Sequence, residues 1–425
     1  MSLAIESKPD LSVSMLTCYA KKFALATPSL NGLYHIYPRL SSIFLLPLKT
    51  ITLSFANILA KEEKICYNNL VDIILKIKRR RKMINPDICH RLLAKNTVPS
   101  LAYDSKAPSY QQRVSLRKKF IELTGLDLIA ENAKGCPDNF NIEFERDEEN
   151  YKLVRFTFDS EVGETVPCYL VIPKLAKEKY PVAITLQGHS SGFHNSIGEI
   201  KYEGDEAYQP RGQFALQAAE NGYVALAIEQ RGMGERNTPL KKRGSHRQCQ
   251  FHAMTALQLG RTILGERIFD VSRAIDMLEN FKEADTDKIL ITGNSGGGTV
   301  SYYAACYDER IKLSVPSCSF CPYPESILDI RHCVCNYIPS AFRYFDMQDL
   351  ASLIVPRRLA VIAGKDDEIF PIDGVQRGFK TVKQIYADEG AEDKCRLTVT
   401  PKGHLWCEDI VWRTINDECK KLGWI

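Results

Sequence analysis

Residues 289–300 read Ile-Leu-Ile-Thr-Gly-Asn-Ser-Gly-Gly-Gly-Thr-Val and hold the most informative motif of the chain. An apolar run, Ile289–Ile291, leads into Gly293–Gly297, and a helix-compatible stretch, Thr299–Tyr307, follows. A strand, a tight turn and a helix in this order are the context that a G-x-S-x-G nucleophile elbow requires. The glycines let the helix approach the strand, and its N-terminus offers N–H groups to an anion. We predict that Ser295 is a catalytic nucleophile; the alternative is a glycine-rich turn with a bystander serine.

The base that would activate this serine is predicted to be His404. In this architecture the acid and the histidine follow the nucleophile along the chain. Of the eight histidines, only His332 and His404 lie after Ser295. His404 lies in the loop after a predicted strand, 396–400, whereas His332 precedes the strand expected to carry the acid. We therefore interpret His332 as a residue that lines the pocket or has a structural role.

The acid is predicted to be one of two neighbouring aspartates, Asp366 and Asp367, in the turn after a buried strand at 358–363. Adjacent side chains in an extended turn point opposite ways, so only one of them can face His404. Ser295, this acid and His404 each follow the C-terminal end of a predicted strand. Ligands of open α/β sheets bind outside those ends.

An oxyanion hole is predicted from the backbone N–H groups of Gly296 and His189. Residues 181–186 form a buried strand, and the loop Gln187–Gly192 follows it. Small residues in this loop let a main-chain N–H turn inward, and one donor is expected from this position. The imidazole of His189 is a further candidate for lining the pocket.

These motifs resemble the α/β-hydrolase superfamily, above all the branch related to acetyl xylan esterases and dienelactone hydrolases. The resemblance is carried by five segments: Leu186–Glu199, Glu229–Glu235, Gly293–Gly298, Gly364–Pro371 and Gly403–Trp406. The family places its acid three residues after the glycine and four before the proline of the fourth segment, which implies Asp367. Gln187-Gly188-His189 differs from the His-Gly-Tyr that acetyl xylan esterases usually carry. In the second segment, Arg231 and Glu235 are expected to support the active-site loops.

The fold class predicted is α/β. Strands alternate with helical stretches from Pro181 onward, which favours a mostly parallel twisted sheet with helices on both faces. The resemblance implies that this is the α/β-hydrolase fold. Three earlier runs predict antiparallel strands at the leading edge: 141–144, 152–159 and 165–172. Further helices are predicted at 211–220, 249–281, 374–388 and 408–422.

A cap insertion is predicted at about residues 318–350, which interrupt the alternation of strands and helices. The segment is rich in Cys, Tyr, Phe and Pro. Loops of this kind usually determine substrate choice. The candidate substrate-binding residues in it are His332, Cys333 and Tyr337.

The fourteen cysteines are irregularly spaced and no secretory signal precedes them, so reduced thiols and a cytoplasmic location are expected. Cys318, Cys321, Cys333 and Cys335 could be taken as zinc ligands or as a redox motif. Their spacing differs from the paired C-x2-4-C knuckles of structural zinc sites. We expect no metal site and interpret these residues as small apolar packing groups.

Residues 1–84 are predicted to be a basic N-terminal extension, and residues 85–425 the catalytic domain. Residues 1–83 hold 13 Lys and Arg against 5 Asp and Glu, whereas the remainder is slightly acidic. The run Lys78–Lys82 could contact nucleic acid or an anionic membrane, but a solvated segment is the simpler interpretation. Ile43–Leu59 is too short to span a membrane. We hypothesise that the functional protein starts at Met83.

The predicted function is hydrolysis of a carboxyl ester through an acyl-enzyme on Ser295, without a metal or organic cofactor. The resemblance implies a short acyl group, such as acetyl, on a sugar or another small molecule. A peptidase or carbon–carbon hydrolase of the same fold is an alternative, and a non-catalytic binding protein is another. We expect no nucleic-acid partner and no membrane span; the sequence does not indicate an oligomeric state.

Overall fold

The computed structural model describes residues 87–107, 109–237 and 248–425 of the chain. Nine strands in these ranges form one sheet: β1 (Asn141–Asp147), β2 (Tyr151–Glu161), β3 (Glu164–Pro173), β4 (Tyr180–Leu186), β5 (Val224–Ile228), β6 (Ala284–Asn294), β7 (Ile311–Ser317), β8 (Arg358–Gly364) and β9 (Cys395–Thr400). The α-helices are α1 (Asp87–Asn96), α2 (Ser109–Thr124), α3 (Leu126–Asn132), α4 (Phe214–Glu220), α5 (Gln248–Gln258), α6 (Ile263–Met277), α7 (Gly296–Tyr307), α8 (Ile372–Asp388) and α9 (Glu408–Lys421).

The strand order is β1-β2-β3-β5-β4-β6-β7-β8-β9. Strands β1, β2 and β3 pair antiparallel, β3 pairs antiparallel with β5, and every pair from β5 to β9 is parallel. The chain reverses its direction across the sheet at β4, which lies between β5 and β6. The carboxyl ends of β4 and β6 therefore form the crevice at which open α/β sheets bind ligands.

Both faces of the sheet are covered by helices, and the alternation of side chains along β6 explains how. Ile289 and Ile291 contribute to one core, to which α2, α3, α6, α7 and α8 also contribute. Leu290, between them, belongs to a second core with α4 and α9. Successive side chains of a strand point to opposite faces, so this apolar run is buried on both sides. The mostly parallel sheet with helices on both faces matches the prediction.

The helix predicted at 249–281 is wrong as one element, because the structure divides it into α5 and α6. Gly260 between them has φ +74°, a conformation that ends a helix. Thr262 then caps the N-terminus of α6, where its Oγ1 accepts a hydrogen bond from Gly265 N at 2.9 Å. Helices α1, α2 and α3 were not predicted.

The segment between β7 and β8 contains no strand and is held by short 3-10 turns: Tyr323–Glu325, Val334–Asn336, Ala341–Arg343 and Met347–Leu353. Two tyrosines of α7 anchor it. The Tyr302 hydroxyl donates to Met347 O at 2.8 Å, and the Tyr303 and Tyr323 hydroxyls lie 2.6 Å apart. The predicted cap is thus packed on the helix that follows Ser295.

Residues Asp87–Ile425 form one compact unit. The predicted N-terminal extension, its basic run and the hypothetical start at Met83 lie outside the described residues, so these stay predictions. Within the described ranges, every helix is too short or too polar to cross a membrane.

Candidate active site

Ser295 occupies the sharp turn between β6 and α7, with φ 54° and ψ −121°. Few residues other than glycine adopt such angles, and strain of this kind persists only where neighbouring structure enforces it. The Ser295 N–H donates to Ser317 O at 2.9 Å. A Cβ at Gly293 would lie 2.5 Å from Leu186 O, and one at Gly297 would lie closer still. The glycines therefore permit the close packing of α7 against β4 that the elbow motif predicts.

His404 and Asp367 come together at the ends of β9 and β8. His404 Nδ1 lies 2.9 Å from Asp367 Oδ2, and the Asp367 side chain is fully buried. Asp367 Oδ1 accepts hydrogen bonds from Ile369 N at 2.8 Å and Phe370 N at 3.0 Å. These two amides fix the carboxylate and leave Oδ2 for the imidazole. Of the two candidate aspartates, the structure brings Asp367 to the histidine.

The neighbouring Asp366 is exposed to solvent. Its backbone N–H donates to Lys402 O at 3.1 Å, so its main chain holds the loop that leads to His404. The two adjacent aspartates therefore differ as expected for side chains on opposite sides of an extended turn.

Ser295 lies on the same edge of the sheet as this pair. No hydrogen bond joins its hydroxyl to another described residue. Cys318 lies between the turn of Ser295 and the Asp367–His404 pair. It follows Ser317, whose carbonyl accepts the hydrogen bond from the Ser295 N–H. Its Sγ lies within 4.8 Å of one carboxylate oxygen of Asp367 and one ring nitrogen of His404. Catalytic hydrogen bonds are often long before substrate binds.

The loop after β4 places His189 over the N-terminus of α7. The His189 Nδ1 atom lies 3.4 Å from the position that a Cβ at Gly296 would take. A Cβ at Gly188 would lie 2.8 Å from Asn294 O and 3.3 Å from Ser295 Cβ, so the loop touches the elbow directly. Within the described part of the chain, the N–H groups of Gly296 and His189 donate no hydrogen bond. Neither N–H group is therefore occupied by a partner there, as the predicted role of oxyanion donor requires.

The side chain and the carbonyl of Gln187 hold this loop in place through hydrogen bonds. Its buried amide donates to Ser196 Oγ and to Gly212 O, both at 2.7 Å. Gln230 donates in turn to the Gln187 carbonyl. Sequence reasoning identified Gln187 as a departure from the family motif but missed this supporting role, because its partners lie 9 and 25 residues away.

A buried carboxyl, Glu229, joins the loop Gln187–Gly192 (the oxyanion loop, named for its predicted donor His189) to the loop after β5. It accepts hydrogen bonds from Phe193 N at 3.3 Å and Glu235 N at 3.2 Å. Burial raises the pKa of Glu229 to about 7. Sequence reasoning missed this residue, since nothing in the pattern distinguishes it from a surface glutamate.

Arg231 and Glu235 form ion pairs in the loop after β5. Arg231 is buried beside Asp270 and Glu161, at 2.9 and 2.7 Å. Glu235 pairs with Arg155 at 2.6 Å. These contacts link the loop to α6 and β2, as expected for residues that support it.

The three candidate substrate-binding residues of the cap have different surroundings. The half-buried His332 packs edge-on against Phe370 at 5.6 Å between centroids, and Phe370 stacks on His404 at 5.8 Å. Burial lowers the pKa of His332. Tyr337 donates its hydroxyl to Ile327 O at 2.8 Å, inside the cap. Cys333 Sγ lies 3.3 Å from the Sγ atoms of both Cys249 and Cys335.

The cysteine set considered from the sequence is divided by the structure. Cys318 and Cys321 lie away from Cys333 and Cys335, which instead meet Cys249 and His189. Hydrogen bonds with the Cys249 and Cys335 thiols lower the pKa of Cys333. The sequence gives no signal for this grouping, because its members are up to 146 residues apart.

Residues 109–366 match the family model of acetyl xylan esterases (AXE1). The chain is 29% identical over 267 residues to the Bacillus subtilis protein named "Putative hydrolase YtaP", which covers 62% of this chain and 85% of that protein.

Solved structures share the fold. A structure described as a "putative acetyl xylan esterase" from Bacteroides fragilis superposes with TM-score 0.64 and 17% identity, covering 79% of this chain and 95% of that one. A glucuronoyl esterase from Solibacter usitatus gives TM-score 0.56 and 15% identity, over 76% and 97%. The predicted α/β-hydrolase fold is thereby confirmed.

Proposed function

The chain belongs to the acetyl xylan esterase (AXE1) family and is a carboxylic ester hydrolase; from this premise we propose that Ser295, His404 and Asp367 are its catalytic triad. The observation that carries the proposal is the 2.9 Å contact between His404 Nδ1 and the buried Asp367 carboxylate. It lies at the same sheet edge as a serine in the strained elbow conformation.

In the proposed mechanism, Ser295 Oγ attacks the ester carbonyl carbon while His404 Nε2 takes the hydroxyl proton. Asp367 accepts the hydrogen bond from His404 Nδ1 and stabilises the imidazolium that forms. The N–H groups of Gly296 and His189 stabilise the tetrahedral oxyanion. His404 then returns the proton to the leaving alkoxide, which departs as the alcohol. Water repeats the cycle and releases the carboxylic acid.

The proposed substrate is a short acyl ester, in the first place an acetyl ester, of a sugar or a similar small molecule. Family membership supports this choice. The half-buried ring of His332 packs edge-on against the buried Phe370, which stacks on His404, so a cap side chain available for contact with a sugar ring lies close to the proposed base.

A fluorophosphonate probe tests the nucleophile, because it reacts with activated serines. We expect one adduct, on the peptide that carries Ser295, and none in Ser295→Ala. Ser301→Ala is a matched control, since that serine lies on α7 and only bonds Gly297 O at 2.8 Å. A labelled protein without an adduct on Ser295 would contradict the proposal.

A series of p-nitrophenyl esters tests the proposed preference for a short acyl chain. We expect kcat/KM to fall steeply from acetate to butyrate and octanoate. A flat or rising series would reject the short-acyl substrate and leave the triad intact. Release of acetate from acetylated xylose and xylan then tests whether the protein hydrolyses acetyl esters of a sugar.

We also propose that the protein works in the cytoplasm. The support is that Cys333 lies 3.3 Å from two other free thiols, and an oxidising compartment would join one of these pairs in a disulfide. Fractionation of the source cells tests this location directly. Recovery in the secreted fraction would reject it.

A further inference from the structure

Four metal-ligating atoms from three separate segments meet beside the oxyanion loop. Cys249 lies in the first turn of α5, Cys333 and Cys335 lie in the cap, and His189 follows β4. Their donor atoms all lie within 4.8 Å of one another. Cys333 Sγ is 3.3 Å from Cys249 Sγ and from Cys335 Sγ, and Cys335 Sγ is 3.2 Å from His189 Nε2.

These separations match a shared ion better than a covalent bond. A disulfide requires about 2.05 Å between sulfur atoms. Around tetrahedral zinc, with Zn–S bonds of about 2.3 Å, ligand sulfurs are about 3.8 Å apart. The two sulfur–sulfur contacts of Cys333, at 3.3 Å, are far longer than a disulfide bond and within about 0.5 Å of that separation, and all four donor atoms lie within 4.8 Å of one another. Three thiolates and one imidazole are the Cys3His ligand set of structural zinc sites.

The cluster differs from the other buried thiols. Cys306 donates to Tyr302 O at 3.3 Å, and Cys318 contacts Leu405 O at 3.6 Å, so carbonyl groups satisfy these thiols. The three clustered sulfurs instead face one another and the imidazole. The Asn336 amide donates to Cys335 Sγ at 3.7 Å, as outer-shell groups do toward ligating thiolates.

We propose that the protein binds one zinc ion through four ligands: His189 Nε2, Cys249 Sγ, Cys333 Sγ and Cys335 Sγ. Binding forms four coordinate bonds and releases the protons of the thiols to solvent. Because the protein supplies all four ligands, the ion has no open position for substrate or water. Its role is structural.

The ion would fix the geometry of the reaction centre. His189 carries one of the two proposed oxyanion donors on its backbone, and its ring is the ligand. Coordination of Nε2 would therefore tie the oxyanion loop to the cap and to α5. Cys249 and Cys335 are buried, whereas His189 is exposed, which gives a metal an entry path from solvent. His189 is a positioning residue in this scheme.

Metal analysis of the full chain, purified under reducing conditions without chelators, tests the site. We expect about one zinc per chain, and after exchange to Co²⁺ an absorption spectrum of tetrahedral cobalt with thiolate ligands. In Cys333→Ser zinc should fall well below one per chain. Cys321→Ser, a buried cap cysteine outside the cluster, is the matched control and should keep its zinc.

Thiol titration of the wild-type protein gives a second readout that does not depend on a variant folding. Added zinc should protect three thiols from a thiol reagent, and a chelator should restore their reactivity. A wild-type protein that binds no zinc even when Zn²⁺ is supplied to its reduced form would overturn the proposal. Equal zinc contents in Cys333→Ser and Cys321→Ser would overturn it as well.

The zinc site and the triad can fail separately. Fluorophosphonate labelling of Ser295 reports on the triad, while zinc content reports on the cluster. We expect the zinc-free protein to react more slowly with the fluorophosphonate and to recover its labelling rate when Zn²⁺ is added. In hydrolysis of p-nitrophenyl acetate, loss of zinc should change kcat more than KM. A zinc-containing protein that never labels would reject the triad alone.

Discussion

The edge of the sheet and the cap build the active site in different ways. At the edge, each functional residue follows a strand, so hydrogen-bonded neighbours determine its place: Ser295 after β6, Asp367 after β8 and His404 after β9. The cap has no strand, and side chains hold it, through tyrosine hydroxyls on α7 and the cysteine–histidine cluster. In our proposal, the regular part of the fold carries the reaction chemistry and the irregular part selects the substrate.

The largest expected effect comes from removing the nucleophile at the edge. We expect Ser295→Ala to lower kcat for every ester by roughly 10⁵-fold or more, as in other serine hydrolases. Hydrolysis of p-nitrophenyl acetate measures it, with Ser301→Ala as the control. Substantial remaining activity would show that Ser295 is not the nucleophile.

The paired aspartates provide the next test. Asp367→Asn should lower kcat about 10⁴-fold, because an amide cannot hold the imidazole in its reactive tautomer or stabilise its charge. Asp366→Asn changes an exposed side chain and should stay within about threefold. The ratio of the two kcat values decides which of the two aspartates is the catalytic acid. The reverse order would disprove the assignment made from the 2.9 Å contact.

The raised pKa of Glu229, which accepts hydrogen bonds beside the oxyanion loop, predicts that the stability of the protein depends on pH. This pKa rises from 4.5 in the unfolded chain to about 7 on folding. Between these values the folded protein binds more protons, so stability falls as the pH rises from 4.5 through 7. The shift corresponds to about 3 kcal/mol at most.

Glu229→Gln keeps an acceptor for the two N–H groups and cannot ionise. We expect the free energy of unfolding of this variant, measured in urea at pH 5 and pH 8, to change less with pH than that of the wild type. Identical slopes for both proteins would show that Glu229 does not titrate in this range.

The smallest expected effect belongs to the cap. His332→Ala removes a ring that packs on Phe370, which stacks on His404, without touching the acid. We expect it to change the ratio of kcat/KM for acetate and butyrate esters by about tenfold, as altered pocket contacts do. The rate of fluorophosphonate labelling should stay within about threefold. If both esters lost activity equally, His332 would support the base and would not select the acyl group.

The same contrast explains what could be predicted from the sequence. Strands β4, β6 and β8 contain apolar runs and β9 alternates apolar with polar residues, so the ends of these strands and the loops after them were placed correctly. Family motifs in those loops then selected Asp367 over Asp366. The same apolar runs predicted the α/β fold, in which helices cover both faces of the sheet.

The remainder depends on contacts between distant segments. Cys249 meets Cys333 across 84 residues, and no local pattern encodes that meeting. Sequence spacing groups Cys318 and Cys321 with Cys333 and Cys335, a set interpreted as packing groups, whereas the structure brings Cys333 and Cys335 to Cys249 and His189. The break between α5 and α6 was missed because Gly260 was included in a helical pattern that continues on both sides of it.

The turn that holds Asp367 has one further consequence, which concerns entropy. The N–H groups of Ile369 and Phe370 hold the carboxylate at Nδ1 of His404, and the Phe370 ring lies against the face of the same imidazole. One short turn thus restricts the imidazole from its edge and from its face. The rotational freedom of this side chain is lost when the protein folds. Less of it remains to be lost when the transition state forms, so part of the ordering needed for catalysis is already complete in the free enzyme.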